Sequence, residues 1–236
     1  MATPRQVSTY DRAQRAVVTL ARARLVAWWS RMDFANPEAA ARALEAFLPE
    51  LVSAYGRAAA AVAADWFEEL RADAGASPPF RAALADPVPV DQVRASARWG
   101  MGPVFSDSPD ADAALRRVAG TVQRLVQRPA RETLFRSGVA DPARPKWARV
   151  PRGPNPCAFC RMLAGRGAVY LSADSAGAFD AYHDDCWCVA EPVWRGGVGL
   201  SYDPAVYEGQ YAEAFEEAGG NVHALLAAMR RQQGVK

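Results

Sequence analysis

Histidine and cysteine are scarce in this 236-residue chain, which has two of the first and four of the second. So few imidazoles leave little ordinary acid–base chemistry near neutral pH, with His183 and His223 the only candidates. No G-x-S-x-G elbow occurs, which removes one common serine-hydrolase signature. No apolar run approaches the ~20 residues needed to cross a bilayer, and the start Met1-Ala-Thr-Pro-Arg5 lacks a charged-then-apolar secretory pattern. The expectation is a soluble protein made in the cytoplasm, with no membrane partner. A net charge of +2 gives no global electrostatic reason for nucleic-acid binding. Half of the residues are hydrophobic and 23% are charged, the composition of a globular protein.

The scarce residues are concentrated. All four cysteines and one histidine fall in one window, Cys157-Ala-Phe-Cys160, a 22-residue gap, then His183-Asp-Asp-Cys186-Trp-Cys188. Two thiolates two residues apart can grip one cation from a single turn, and H-x2-C-x-C can close a tetrahedron from the other side. That spacing points to a structural Zn²⁺. Two disulfides or reduced core thiols are the alternatives, and the absence of a secretory pattern speaks against the disulfides. Five candidates compete for four positions. If residues 186–188 are extended, Cys186 and Cys188 share a face with Trp187 turned away, and His183 is spare. If the segment turns, His183 and one late cysteine serve instead. Cys157 and Cys160 belong to either set, whereas Asp184 and Asp185 read as solvated turn residues because soft thiolate sites disfavour carboxylates.

Elsewhere the pattern is helical. Val18, Ala21, Leu25, Trp28, Trp29 and Met32 form one stripe on a helix over residues 9–32. Asn36-Pro37-Glu38 opens a second helix carrying Leu44, Phe47, Leu48, Leu51, Val52, Tyr55, Trp66, Phe67 and Leu70, which Pro49 should kink or restart. Asp91 should cap a brief helix through Trp99, broken by Gly100-Met-Gly-Pro103. Another is expected from Asp110 to Gln127, with a basic, solvated face around Arg116, Arg117, Arg124, Arg128, Arg131 and Arg136. Asp203-Pro204 and Asn221 open two final helices, the second carrying a surface His223.

From 137 to 199 the chain is rich in Gly, Pro and Arg, with extended candidates at 147–150, 169–171 and 187–193. Such a stretch buries too little apolar area to fold alone, and a metal would supply the deficit. The expected fold class is therefore mainly α. A helical body over 1–136 is followed by a small Cys/His zinc-stapled module with short β-strands over 137–199, and by a helical tail over 200–236.

The run from Trp147 through Pro154-Asn-Pro-Cys-Ala-Phe-Cys160 to Tyr170, followed by Tyr182-His-Asp-Asp-Cys-Trp-Cys-Val189 to Trp194, resembles a known family. It is similar to the minor head proteins of tailed bacteriophages related to the phage Mu F protein, in the form common in actinobacterial phages. The resemblance is close over 146–194 and looser in the flanking helices. Trp187 departs from it, standing where relatives carry a charged or small polar residue. The resemblance implies a low-copy minor capsid protein inside the head, at or near the portal vertex. Its implied partners are the portal protein, capsid or scaffold proteins, and packaged DNA.

Relatives of this kind are also labelled capsid maturation proteases. A cysteine protease would need Cys157 or Cys160 beside His183, residues that metal binding explains better. A catalytic zinc keeps an open position and seldom has more than two thiolates, whereas this site looks closed. A DNA-binding zinc module is the remaining alternative, since Arg152, Arg161 and Arg166 flank the first cysteine pair, but no recognition helix follows. The expectation is a structural protein and not an enzyme.

Overall fold

A threonine and a glutamine set where the chain first becomes helical. The Thr3 hydroxyl accepts from the Gln6 N–H at 3.2 Å while Gln6 Oε1 accepts from the Thr3 N–H at 2.9 Å, with Pro4 at the first helical position. In the computed structural model, which describes residues 2–169, 182–195 and 200–235 apart from the side chains at 222 and 223, α1 therefore spans Pro4–Trp29. It starts earlier than the stripe predicts because Val7 and Tyr10 extend the buried face backwards. Met32 lies in the following turn, its N–H donating to the Trp29 carbonyl.

Helix α2 (Pro37–Asp73) begins at the expected cap, with Asn36 Oδ1 accepting from the Ala39 N–H at 3.0 Å. Pro49 sits inside it without restarting it. A proline costs a helix interior about 3 kcal/mol, and the buried Leu44, Leu48, Leu51 and Val52 on both sides keep the helix packed through it. Helix α3 (Val90–Met101) starts one residue before Asp91, so Asp91 lies in its first turn near the positive end of the dipole and Pro89 occupies the cap position. It also runs on past Gly100, passing into a 3₁₀ turn at Gly102–Phe105. Gly100 serves packing, since a Cβ there would lie 2.6 Å from Val118 Cγ2.

Helix α4 (Ala111–Ala140) is capped as expected by Asp110, which accepts from the Ala113 N–H at 2.8 Å, but it does not stop near Gln127. It continues through Pro129, because that ring packs against Gly56 of α2, where a Cβ would stand 3.2 Å from Pro129 Cγ. Tertiary contact has overridden a local stop signal. Helices α1, α2, α3 and α4 bury Leu25, Leu44, Phe67, Leu70, Val118, Leu125 and Leu134 in one core.

A two-stranded antiparallel ribbon lies on this body. β1 (Lys146–Val150) pairs with β2 (Val189–Val193), Lys146 opposite Val193 and Val150 opposite Val189. Trp147, Val150, Val189 and Trp194 join the same core as the helices. The Trp147 indole reaches it because Gly138 has no side chain, a Cβ there falling 2.2 Å from Trp147 Cζ2. The division expected at 136/137 falls inside α4. Of the expected strand at 169–171, residues 170 and 171 lie outside the described residues.

A short α5 (Ala158–Ala164) follows β1, and α6 (Pro204–Glu217) and α7 (Val222–Gln233) form a terminal hairpin. Asp203 caps α6 by accepting from the Ala205 N–H at 2.9 Å, and Asn221 Oδ1 accepts from the Ala224 N–H at 3.4 Å. The hairpin packs on α5 through a separate small core of Ala158, Ala214, Leu225, Ala228, Met229 and Val235. The architecture is mainly helical with one small sheet, as the sequence predicts. The His223 side chain lies outside the described residues.

Candidate metal centre

The first cysteine pair is placed by a helix start. Cys157 occupies the cap position of α5 with extended backbone and Cys160 lies in the first turn, so three residues of spacing put both thiols on one side. The second pair is placed by a turn that runs straight into β2. The Cys186 N–H donates to the His183 carbonyl at 3.2 Å, and Asp185 takes a left-handed φ of 63° that aspartate tolerates better than most residues. Residues 186–188 then extend, and both cysteines turn inward. The two conformations offered by the sequence occur in succession, a turn over 183–186 and an extended run beyond it. Trp187 points away, its ring under Arg15 at 4.2 Å and against Gly153.

The sulfurs of Cys160, Cys186 and Cys188 all lie within 4.8 Å of one another, and Cys160 and Cys186 are 3.8 Å apart. Four ligands at about 2.3 Å around a tetrahedral ion are separated by about 3.8 Å. A disulfide needs about 2.05 Å, and all four cysteines are free and buried. Cys157 and His183 stand beside this trio. Cys157 is buried in the same cluster, and His183 Nδ1 is 2.6 Å from the Asp184 carbonyl. His183 is exposed.

Hydrogen bonding already divides the protons unequally. Bonds from Cys160 and His183 pull the Cys157 thiol down to about 4 against the opposing effect of burial. Cys186 is likewise driven well below an ordinary thiol by Cys160 and Cys188. Cys160, bonded to Cys157, Cys186 and Cys188 and buried, is held protonated. For Cys188, the bond to Cys160 pulls downwards, but the bond to Cys186 and burial prevail and lift it to about 12. His183 rises to about 9 through its bond to Cys157. Protein contacts thus favour the thiolate at Cys157 and Cys186 and the thiol at Cys160 and Cys188, and a soft divalent cation would displace the remaining protons to solvent. Cys160, Cys186 and Cys188 are positioned to hold a metal, with Cys157 and His183 adjoining.

The surroundings brace the second cysteine pair. Gln123 Nε2 and Arg131 Nη2, both on α4, donate to the Cys186 carbonyl at 2.8 and 2.7 Å, and Gln123 Oε1 accepts from the Asp185 N–H at 2.7 Å. Asp184 and Asp185 are turn residues as expected, yet they are not merely solvated. Asp184 pairs with Arg124 and Asp185 with Arg22, each at 2.6 Å, which ties the turn to α4 and α1. Gly120 lets Asp184 approach, a Cβ there standing 3.2 Å from Asp184 Cβ.

The expected solvated basic face of α4 is in part an inward one. Arg131 is buried and Arg128 bonds Gln92. Tyr182, which the sequence reading passed over, lies buried between the guanidiniums of Arg131 and Arg149, at 3.6 and 3.9 Å from its ring centre. Of the arginines that might have met phosphates, Arg152 bonds Ser8 at 3.1 Å and Arg161 bonds the Pro156 carbonyl at 3.0 Å. A cavity of about 170 Å³ beside the cluster is lined by residues 152–157 together with His183, Asp185 and residues 186–188.

Fold and site together define a mainly helical protein whose small ribbon and short helix are drawn together by a buried thiol cluster. Residues 1–214 match the VG15 protein family, and the chain belongs to that family. It is a phage protein. A stretch of 76 residues is 42% identical to the Gene 15 protein of Mycobacterium phage D29, covering 30% of this chain and 26% of that protein. No solved structure matches. Among the described residues no helix is long and apolar enough to cross a membrane.

Proposed function

We propose that this protein is a minor head component of a tailed phage, of the Mu F type, that works inside the capsid at or near the portal vertex as a structural part. The observation that carries the reading is the buried cluster of Cys160, Cys186 and Cys188 with Cys157 alongside, in a chain of the VG15 family with a 76-residue stretch 42% identical to a mycobacteriophage protein. Such a cluster fits a closed structural zinc centre that fastens α5 to β2, with partners among the portal, capsid or scaffold proteins and the packaged DNA. The protein would be a virion constituent and no enzyme. The test is isolation of heads from infected cells. The protein should co-purify with the portal protein, carry about one zinc per chain, and, when deleted, give malformed or DNA-poor heads. Heads of normal form and DNA content without the protein would refute the reading.

One observation favours a second reading. Cys157 and His183 both border the 170 Å³ cavity, as the thiol and imidazole of a cysteine hydrolase would. That reading leaves Cys160, Cys186 and Cys188 without a role, and the imidazole meets only the Asp184 carbonyl in place of an orienting side chain. Loss of major capsid protein cleavage in His183→Ala, with heads still assembled, would establish it.

A further inference from the structure

Two positive charges are buried behind the thiol cluster with no carboxylate among the described residues to balance them. Arg149 is 2% exposed and Arg131 8%, and neither belongs to an ion pair among the described residues. Among the described residues Arg131 donates to neutral oxygens, Gln127 Oε1 at 3.0 Å and the Cys186 carbonyl at 2.7 Å. Among the described residues the Nε and Nη2 groups of Arg149 have no hydrogen-bond partner. Both guanidiniums stack on Tyr182, yet a cation–π contact is worth roughly 0.5–2 kcal/mol whereas removing an ion from water costs several. The two charges also repel across the ring. An anion must offset them.

The thiol cluster adjoins both arginines. Arg149 pairs with Ala190 across the ribbon, so strand alternation puts it on the face that Cys188 and Cys186 share. Arg131 reaches the same cysteines from the α4 side, its Nη2 donating to the Cys186 carbonyl at 2.7 Å. A divalent ion on four thiolates carries two net negative charges, matching two arginines, whereas three thiolates and a neutral imidazole carry one and leave a buried cation unbalanced. Exposure agrees, for the four cysteines are buried and His183 is exposed.

We infer that the centre takes a soft divalent metal on four thiolates, Cys157, Cys160, Cys186 and Cys188, with Arg131 and Arg149 as its built-in counter-charges and His183 outside the ligand set. This rests on the reading of the cluster as a metal centre. The arginines are positioning residues, acting on the metal through the field they impose on the sulfurs.

The experiment uses the full chain, purified under reducing conditions, loaded with zinc for affinity by chelator competition and with cobalt(II) for its absorption spectrum. Thiolate-to-cobalt charge-transfer intensity counts sulfurs. His183→Ala should leave the spectrum unchanged and the zinc affinity within about threefold, less than the loss typical of a group that supports a ligand. Arg149→Met should weaken zinc about tenfold or more with the four-sulfur spectrum intact, and Arg149→Lys should restore most of the loss. Arg131→Gln, which leaves a donor for the Cys186 carbonyl, gives the same comparison if Arg149→Met does not fold. A changed spectrum in His183→Ala, or full affinity in the folded variant that has lost an arginine charge, overturns the inference while leaving the metal centre standing. A wild-type chain that binds neither ion overturns both.

Discussion

Glu191 shows what a single side chain loses by burial. By strand alternation it lies on the face of β2 opposite the thiols, its Oε2 accepting from the Ser201 hydroxyl at 2.6 Å. Burial raises its pKa, outweighing the bonds from the Ser201 hydroxyl and the Ala2 backbone. A carboxyl whose folded pKa is raised contributes stability below its unfolded pKa, and that contribution is lost as pH rises through the folded value. At neutral pH the ionised form therefore weakens the fold. Glu191→Gln should raise the thermal midpoint at pH 7.5, and the difference from wild type should shrink towards pH ~4, the unfolded carboxyl range. Melting curves across that interval decide it, and a glutamine variant less stable at neutral pH would mean the carboxylate is held ionised. None of this was legible beforehand. Glu191 reads as an ordinary strand acid, and its burial comes from partners far along the chain.

Between elements, one ion pair gathers three of them. Asp141, just after α4, accepts from Arg71 Nε of α2 at 2.9 Å, from Arg71 Nη2 at 3.2 Å, and from Trp194 Nε1 after β2 at 2.8 Å. Both side chains of the pair are almost fully buried. Breaking such a pair strands a charge, so Asp141→Ala should cost about 3–5 kcal/mol in chemical denaturation, whereas an Arg71→Met, Asp141→Leu double variant should cost much less. Equal losses in both would show that the charges themselves stabilise. The sequence marked element starts well, at Asn36-Pro37, Asp110 and Asp203-Pro204, because a cap is local chemistry. Element ends were less readable. The helix expected to end at Gln127 runs on through Pro129, whose ring rests on Gly56, and Gly100 looks like a break although its missing Cβ makes room for Val118. The thiol cluster was readable because metal spacing is local too, whereas Tyr182 and its two arginines acquire meaning only when β1, α4 and the turn at 183–186 meet.

At the scale of the molecule, the cluster lies at a junction. The helical body and the ribbon share one core, so Trp147, Val150, Val189 and Trp194 stay anchored whatever happens to the sulfurs. The α6–α7 hairpin is different. It meets the rest chiefly through α5, with its own small core around Ala158 and a bond from the Tyr202 hydroxyl to the Ala164 carbonyl at 2.8 Å. Helix α5 has only two turns and starts with two of the clustered cysteines, so a helix too short to persist alone carries the tail. A metal on those sulfurs would hold α5 against β2 and thereby hold the hairpin. Chelation should consequently speed amide exchange in α5, in 183–188 and across α6 and α7, while α1 to α4 and the β1–β2 ladder stay protected. Exchange mass spectrometry with and without chelator reads this directly. Uniform loosening would make the metal a support of the whole core, and an unchanged hairpin would mean that α5 is held by packing alone.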